Sequence, residues 1–212
     1  MPKFLMKCLL LLATFMSVAV FANTEEAQDV EEARNTVVRI VEAFRDDIVA
    51  DKQMLAENPR LLEERVNLIL DKVVDFDDFS KKVMGKYYRR ASEDQRNQFA
   101  SVTRDTLLKT YGASLLELDA DRINVLPLGP QGRGRETKVD VDFQMEAGGL
   151  LNISFYMQQG TQDNWILSNV VINNINFGLT FRKQFEVMMQ QNRNDMDAAI
   201  SAWQQSLAKK SS

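Results

Sequence analysis

The chain has 212 residues, 26 of them basic and 30 acidic, with no histidine and a formal net charge of −4. Without histidine the usual general base is missing, and with it the Ser-His-Asp and Cys-His nucleophile systems; with Cys8 as the one cysteine, zinc and most transition-metal sites are excluded as well. No catalytic residue and no metal ligand are expected, and the acidic balance makes a nucleic-acid partner unfavourable.

Lys3 and Lys7 precede an apolar run from Cys8 to Val20, and Val20-Phe21-Ala22 sets small residues before Asn23. This pattern predicts a secretory signal over residues 1–22, cleaved near Ala22. The run falls short of the roughly 20 residues that a membrane-spanning helix needs. Cys8 stands at the start of the apolar run rather than after it, which argues against lipidation. Residues 23–212 are then one exported domain, large enough to bury about 70% of its unfolded surface. Losing Lys3 and Lys7 moves its formal charge from −4 to about −6. Losing Cys8 leaves it without a disulfide.

Val30, Ala33, Val37, Ile40, Val41, Phe44 and Ile48 recur at helical spacing within residues 25–50. Asn58-Pro59 breaks the chain, with Pro59 placed to open a second helix. Leu61, Leu62, Val66, Ile69, Leu70 and Val73 form that helix's buried stripe. Asp75-Phe76-Asp77-Asp78 is acidic but fails as an EF-hand loop, because Ser80 stands at the glycine position and Lys86 at the bidentate glutamate position. It reads instead as a helix N-terminus with acidic residues on its dipole. A short basic and aromatic helix follows from Phe79 to Arg90. Ser92 with Gln95 then has the form of a capping box, opening a long helix that carries Phe99, Val102, Leu107, Leu108, Tyr111, Leu115 and Leu118.

Beyond Asp121 the period drops to two. Arg122–Leu126 is a short strand, and Thr137–Met145 alternates polar and apolar residues throughout. Ala147-Gly148-Gly149 turns the chain into a returning strand with Leu151, Ile153, Phe155 and Met157. Trp165–Ile172 is the next strand. Gly129–Arg135 lacks the Gly-Lys-Ser/Thr ending of a phosphate loop and reads as a turn. A loop over Asn173–Gly178 leads to a helix through Leu179, Phe181, Phe185, Met188 and Met189, and a last helix carries Met196, Ile200, Trp203 and Leu207. The expected fold is α+β: an antiparallel meander of about four strands covered by several helices on one face.

Gly85-Lys86-Tyr87-Tyr88-Arg89, then Ala91-Ser92 with Gln95-Arg96, then Tyr111-Gly112 resemble the MlaC family of periplasmic phospholipid carriers, also known as toluene-tolerance auxiliary proteins. The similarity runs more weakly through Asp163-Asn164-Trp165 to about Phe185. It implies a periplasmic protein that holds lipid tails in an apolar cavity between sheet and helices. It further implies a shuttle between an outer-membrane lipoprotein complex and an inner-membrane ABC-transporter complex with a substrate-binding subunit, keeping the outer membrane's lipids asymmetric. Phospholipid would be cargo, with no other cofactor. A monomer is expected, since a shuttle must leave each partner.

A diacyl lipid hides roughly 30 methylenes in the bilayer at about 0.8 kcal/mol each. Exposing them to water would cost on the order of 24 kcal/mol, so a carrier must enclose most of both tails. Alternation puts Val141, Phe143, Ile153, Phe155 and Val171 on the inward face of the sheet. With the resemblance, these become candidate cavity walls, together with Phe79, Val83, Leu107, Tyr111 and Leu115 from the helices. Ile175 and Phe177 would stand at the mouth. Lys81, Lys82, Lys86, Arg89 and Arg90, interleaved with Tyr87 and Tyr88, form a basic cluster in an acidic protein. Such a cluster suits docking to an acidic partner or to lipid phosphates, or is an ordinary solvated helix face. Two other classes fit the pattern. A ketosteroid-isomerase-like enzyme would need an acid/base pair in an apolar pocket, yet Asp140 and Asp142 fall on the polar face of their strand. A periplasmic chaperone would show an exposed apolar groove and long helical arms.

Overall fold

The first stripe folds as helix α1, helical over residues 27–44, and widens into a π-helical turn at Arg45–Val49. The computed structural model describes residues 27–129, 136–160 and 164–208. The signal segment, the Gly-rich turn at 130–135, Asp163 and Lys209-Lys210 lie outside the described residues, as do the side chains of Tyr111 and Leu207. Among the described residues no helix is long and apolar enough to cross a membrane.

Helix α2 is Lys52–Glu57 and α3 is Pro59–Leu70, with Pro59 in its first turn. The acidic run opens α4, Phe76–Met84, and Asp75 caps it by accepting from the backbone N–H groups of Asp77 and Asp78. The single helix expected to Arg90 is therefore two pieces, α4 and a 3-10 turn at Gly85–Arg90. Gly85 joins them at φ +54°, and a Cβ there would stand 2.8 Å from Nε of Arg182. Helix α5, Glu93–Tyr111, begins with both bonds of the Ser92–Gln95 capping box. It ends earlier than its apolar spacing suggests. Leu115 sits in a 3-10 turn, Ala113–Glu117, and Leu118 already opens strand β1, Leu118–Val125.

Among the described residues, strands β2 (Glu136–Met145), β3 (Leu150–Gln159), β4 (Trp165–Ile172) and a two-residue β5 (Ile175–Asn176) complete a five-stranded antiparallel meander. The short β5 takes the place of part of the expected loop, and Phe177 begins α6, Phe177–Gln191. Helix α7 is Met196–Ala208.

The apolar faces of β2 and β3 coincide: Val139 pairs with Phe155, Val141 with Ile153 and Phe143 with Leu151. Helices α1 to α3 cover this face, with Val37, Phe44, Leu62, Val66 and Ile69 packed into one core with Val139, Val141 and Phe143. Phe44 meets Phe143 edge-on at 6.5 Å.

The expectation that all helices share one face is corrected here. Helices α4 to α7 build a second core around Phe99, Phe185 and Trp203, joined to the polar face of the sheet through a bulge in β4. Met157 pairs with Leu167 but Tyr156 pairs with Asn169, so one extra residue, Ser168, is inserted. Ser168 and Asn169 then serve the helices. Lys82 of α4 donates to the Ser168 carbonyl and hydroxyl and to Gln158, and Asn169 accepts from the Gly178 N–H of α6.

Candidate functional site

The bulge decides which side chains face the helices α1–α3. Past Ser168 the inward positions of β4 are Val170, opposite Phe155, and Ile172, opposite Ile153. Val171 pairs with Ser154, on the polar face. Its expected place on the inward face is thereby corrected: simple alternation from Trp165 does not count the inserted residue.

With that register, one apolar row crosses all five strands: Val125, Val141, Ile153, Ile172 and Ile175. Its burial peaks at Val141 and falls from there toward β5. Val141 is fully buried, Ile153 and Ile172 are half-buried, and Ile175 is 57% exposed. The same holds one step away, where Val139 is buried and Phe155 and Val170 are half-buried. Helices α1–α3 thus cover one side of the apolar face and leave the other short of neighbours.

Beside this face lies a cavity of about 410 Å³, between α1, the end of α3 and the start of β4. Ile40, Ala43, Ile69, Val73 and Trp165 give it apolar walls, and Glu32, Thr36, Arg39, Lys72 and Asn164 add polar groups. Thr36 is buried; its hydroxyl donates to the Glu32 carbonyl and accepts from Arg39 at 2.8 Å. The segment after α3 is tied down by a 2.6 Å bond from the Leu167 N–H to the Val73 carbonyl. Arg104 of α5 braces it further, bonding Asn67 and Asp71 and lying over the Phe76 ring. The volume is in the range of small-ligand pockets.

The sequence-derived wall residues divide between the two cores. Val141, Phe143, Ile153, Phe155 and Leu115 belong to the sheet core, and Ile175 stands at its open margin. Phe79, Val83, Leu107 and Phe177 belong instead to the helical core. Val83 is 1% exposed there, and Phe79 and Phe177 each meet Phe181 edge-on. Helical spacing tells which side of α4 or α5 is apolar; it does not tell which element that side meets. The side chain of Tyr111 lies outside the described residues.

The basic cluster is also sorted by the fold. Tyr87 is buried against Phe185, so it is packing rather than surface. Lys82 is occupied by Asp78, Gln158 and Ser168. Lys86 pairs with Glu186; this hydrogen bond holds the ammonium above, and the carboxyl below, their ordinary ranges. Tyr88 lies under the Arg96 guanidinium. Lys81, Arg89 and Arg90 are exposed. Asp140 bonds Lys138 and Ser154, and Asp142 bonds Asn152, so both carboxylates sit on the polar face of the sheet, away from the cavity. Among the described residues no cluster of three or more acidic or sulfur ligands could hold a metal.

The cavity residues that alternation could find are Ile40, Ile69, Val73 and Trp165, all members of apolar stripes or strands. Arg39 and Lys72 carried no such signal, because an isolated cation on a helix looks like a solvated face.

The model of the MlaC protein family matches residues 38–205. The toluene tolerance protein ttg2D of Pseudomonas putida is 33% identical over 202 residues, which cover 95% of this chain and 89% of that protein. A solved structure of a phospholipid-binding protein from Ralstonia solanacearum, in complex with a phospholipid, superposes with a TM-score of 0.73. Its sequence identity is 16%, over 85% of this chain and 99% of that one, so the likeness is one of fold.

Proposed function

The chain belongs to the MlaC family, and from that premise we propose that it is a periplasmic phospholipid carrier, exported by its signal and shuttling lipid between the outer and inner membranes. The observation that carries this reading is the apolar sheet face. It continues from a buried centre at Val141 to an exposed margin at Ile175, and at the other end of β4, beside Trp165, a cavity adjoins the same core. A face of that kind is poorly filled by its own protein and suits an apolar guest. The acyl chains lie along Leu151, Ile153, Phe155, Val170 and Ile172, under α1 and α3. At about 410 Å³ the cavity is small for two long chains, so loading moves α1 and α3 apart and fills the space with lipid methylenes. Transfer needs no bond chemistry, and the chain serves as a carrier rather than an enzyme. Phospholipid in the solved Ralstonia solanacearum protein of like fold supports the choice of cargo.

Delivery to an inner-membrane ABC-transporter complex, and collection from an outer-membrane lipoprotein complex, require a docking surface. Arg89 and Arg90 supply it, exposed at the end of the 3-10 turn. Each cation near an acidic surface contributes about 1 kcal/mol. Reversing both, as Arg89→Glu with Arg90→Glu, is expected to slow exchange of a fluorescent phospholipid with its donor and acceptor at least ten-fold, with an unchanged thermal midpoint. An unchanged rate would remove these arginines from docking.

A further inference from the structure

We infer that Arg39 and Lys72 form a phosphate site at the mouth of the cavity, which holds the phosphodiester of a glycerophospholipid whose chains lie within. The inference rests on the carrier reading and goes beyond it by assigning the head group a place.

The two cations come from opposite walls, Arg39 from α1 and Lys72 from just beyond α3, and both line the same cavity as Ile40, Ile69 and Trp165. Neither makes an ion pair among the described residues, whereas Arg34, Lys52, Arg65, Lys82, Lys86 and Arg104 each have a carboxylate partner. Arg39 is not swinging freely: its Nη2 donates to the hydroxyl of Thr36, a buried residue, and that hydroxyl is itself held by the Glu32 carbonyl. One guanidinium edge is thereby committed and four donors are left for a ligand. Glu32 is the one carboxylate on this lining, which therefore has a formal charge of one positive unit; Lys72 and Asn164 also border an adjoining hollow with Asp71 and Asp75, of which Asp71 bonds Arg104 and Asp75 caps α4. That charge suits a phosphodiester, which bears one negative charge, and suits a dianionic phosphate less well. Asn164, on the same lining, offers a further amide donor.

The test compares uptake by the full mature protein of two lipids with identical chains: a phosphatidylglycerol and the matching diacylglycerol, which lacks the phosphate. The wild-type protein is expected to take the phospholipid about thirty-fold better, given two cations at the mouth. Arg39→Gln with Lys72→Gln is expected to abolish that preference and leave diacylglycerol uptake unchanged. Arg39→Lys with Lys72→Arg should restore most of it, and Lys183→Gln with Arg193→Gln, remote from the cavity, should not alter it. A preference that survives the double Gln variant overturns the phosphate site. Wild-type protein that takes up neither lipid overturns the carrier reading itself. Inorganic phosphate at millimolar levels is expected to leave phospholipid uptake unchanged, because the chains hold the head group in place; full competition by it would assign the cations to a free anion and overturn the head-group assignment.

Discussion

Ile153→Asp is expected to lower phospholipid uptake by more than a hundred-fold while the protein stays folded. Ile153 is half-buried at the middle of the inward row, between Val141 and Ile172. In the empty protein its carboxylate can reach water, so folding tolerates it at a cost of about 1–3 kcal/mol. With acyl chains over the sheet the carboxylate would be sealed in hydrocarbon, which costs several kcal/mol per ion; a loss of about 3 kcal/mol is already more than a hundred-fold. The control lies on the neighbouring strand. Val171→Asp introduces the same charge on the opposite face, opposite Ser154, and should leave uptake within about two-fold of wild type. The pair of variants is read by uptake from labelled vesicles, with circular dichroism to verify folding. Equal losses in both would mean that the chains do not lie along this face.

Trp203→Ala is expected to destabilise the protein by about 5 kcal/mol. The side chain is fully buried at the centre of the helical core. It stacks on Phe99 at 5.6 Å and meets Phe181 and Phe185 edge-on at 5.6 and 6.2 Å. Truncating a buried tryptophan removes this packing and leaves a cavity, at about 3–5 kcal/mol. Its Nε1 also donates to the buried Thr103 hydroxyl at 2.8 Å, so the variant leaves Thr103 without that partner, adding about 1 kcal/mol at the lower end of the usual range. Trp203→Phe keeps most of the packing and loses the bond, so a smaller drop, about 2 kcal/mol, is expected. Urea denaturation checks both. Because Trp203 is in the second core, lipid uptake by the folded fraction should be retained; its complete loss would mean that the two cores act as one in binding.

The division into two cores is the feature that periodicity could not reveal. Strand β2 was legible because Val139, Val141 and Phe143 alternate strictly with Lys138, Asp140 and Asp142, and burial follows that pattern residue by residue. The helix stripes were legible for the same reason. Phe79, Val83 and Leu107 nonetheless pack on Phe181, Phe185 and Trp203, not on the sheet, because an apolar stripe specifies burial and not its partner. Val171 was misplaced by a single inserted residue, and nothing local in Trp165–Ile172 marks Ser168 as a bulge; its reason is tertiary, the hydrogen bonds it offers to Lys82 and to Glu136. Leu118 shows a different limit. Its helical spacing from Leu115 and Leu108 is real, yet the sheet claims it, pairing it with Met145. The shared lining of Arg39 and Lys72 was illegible for want of pattern, since they are 33 positions apart in the chain and come to one cavity only in the folded protein.

The most direct test of the carrier account is native mass spectrometry of the mature protein purified from the periplasm, with extraction and identification of any bound lipid. The account predicts a stoichiometric phospholipid that survives dilution and detergent washing, together with loss of that adduct in Ile153→Asp. A protein that emerges lipid-free, and that also takes no phospholipid from vesicles, would contradict it: the sheet face would then be ordinary core with an incomplete cover.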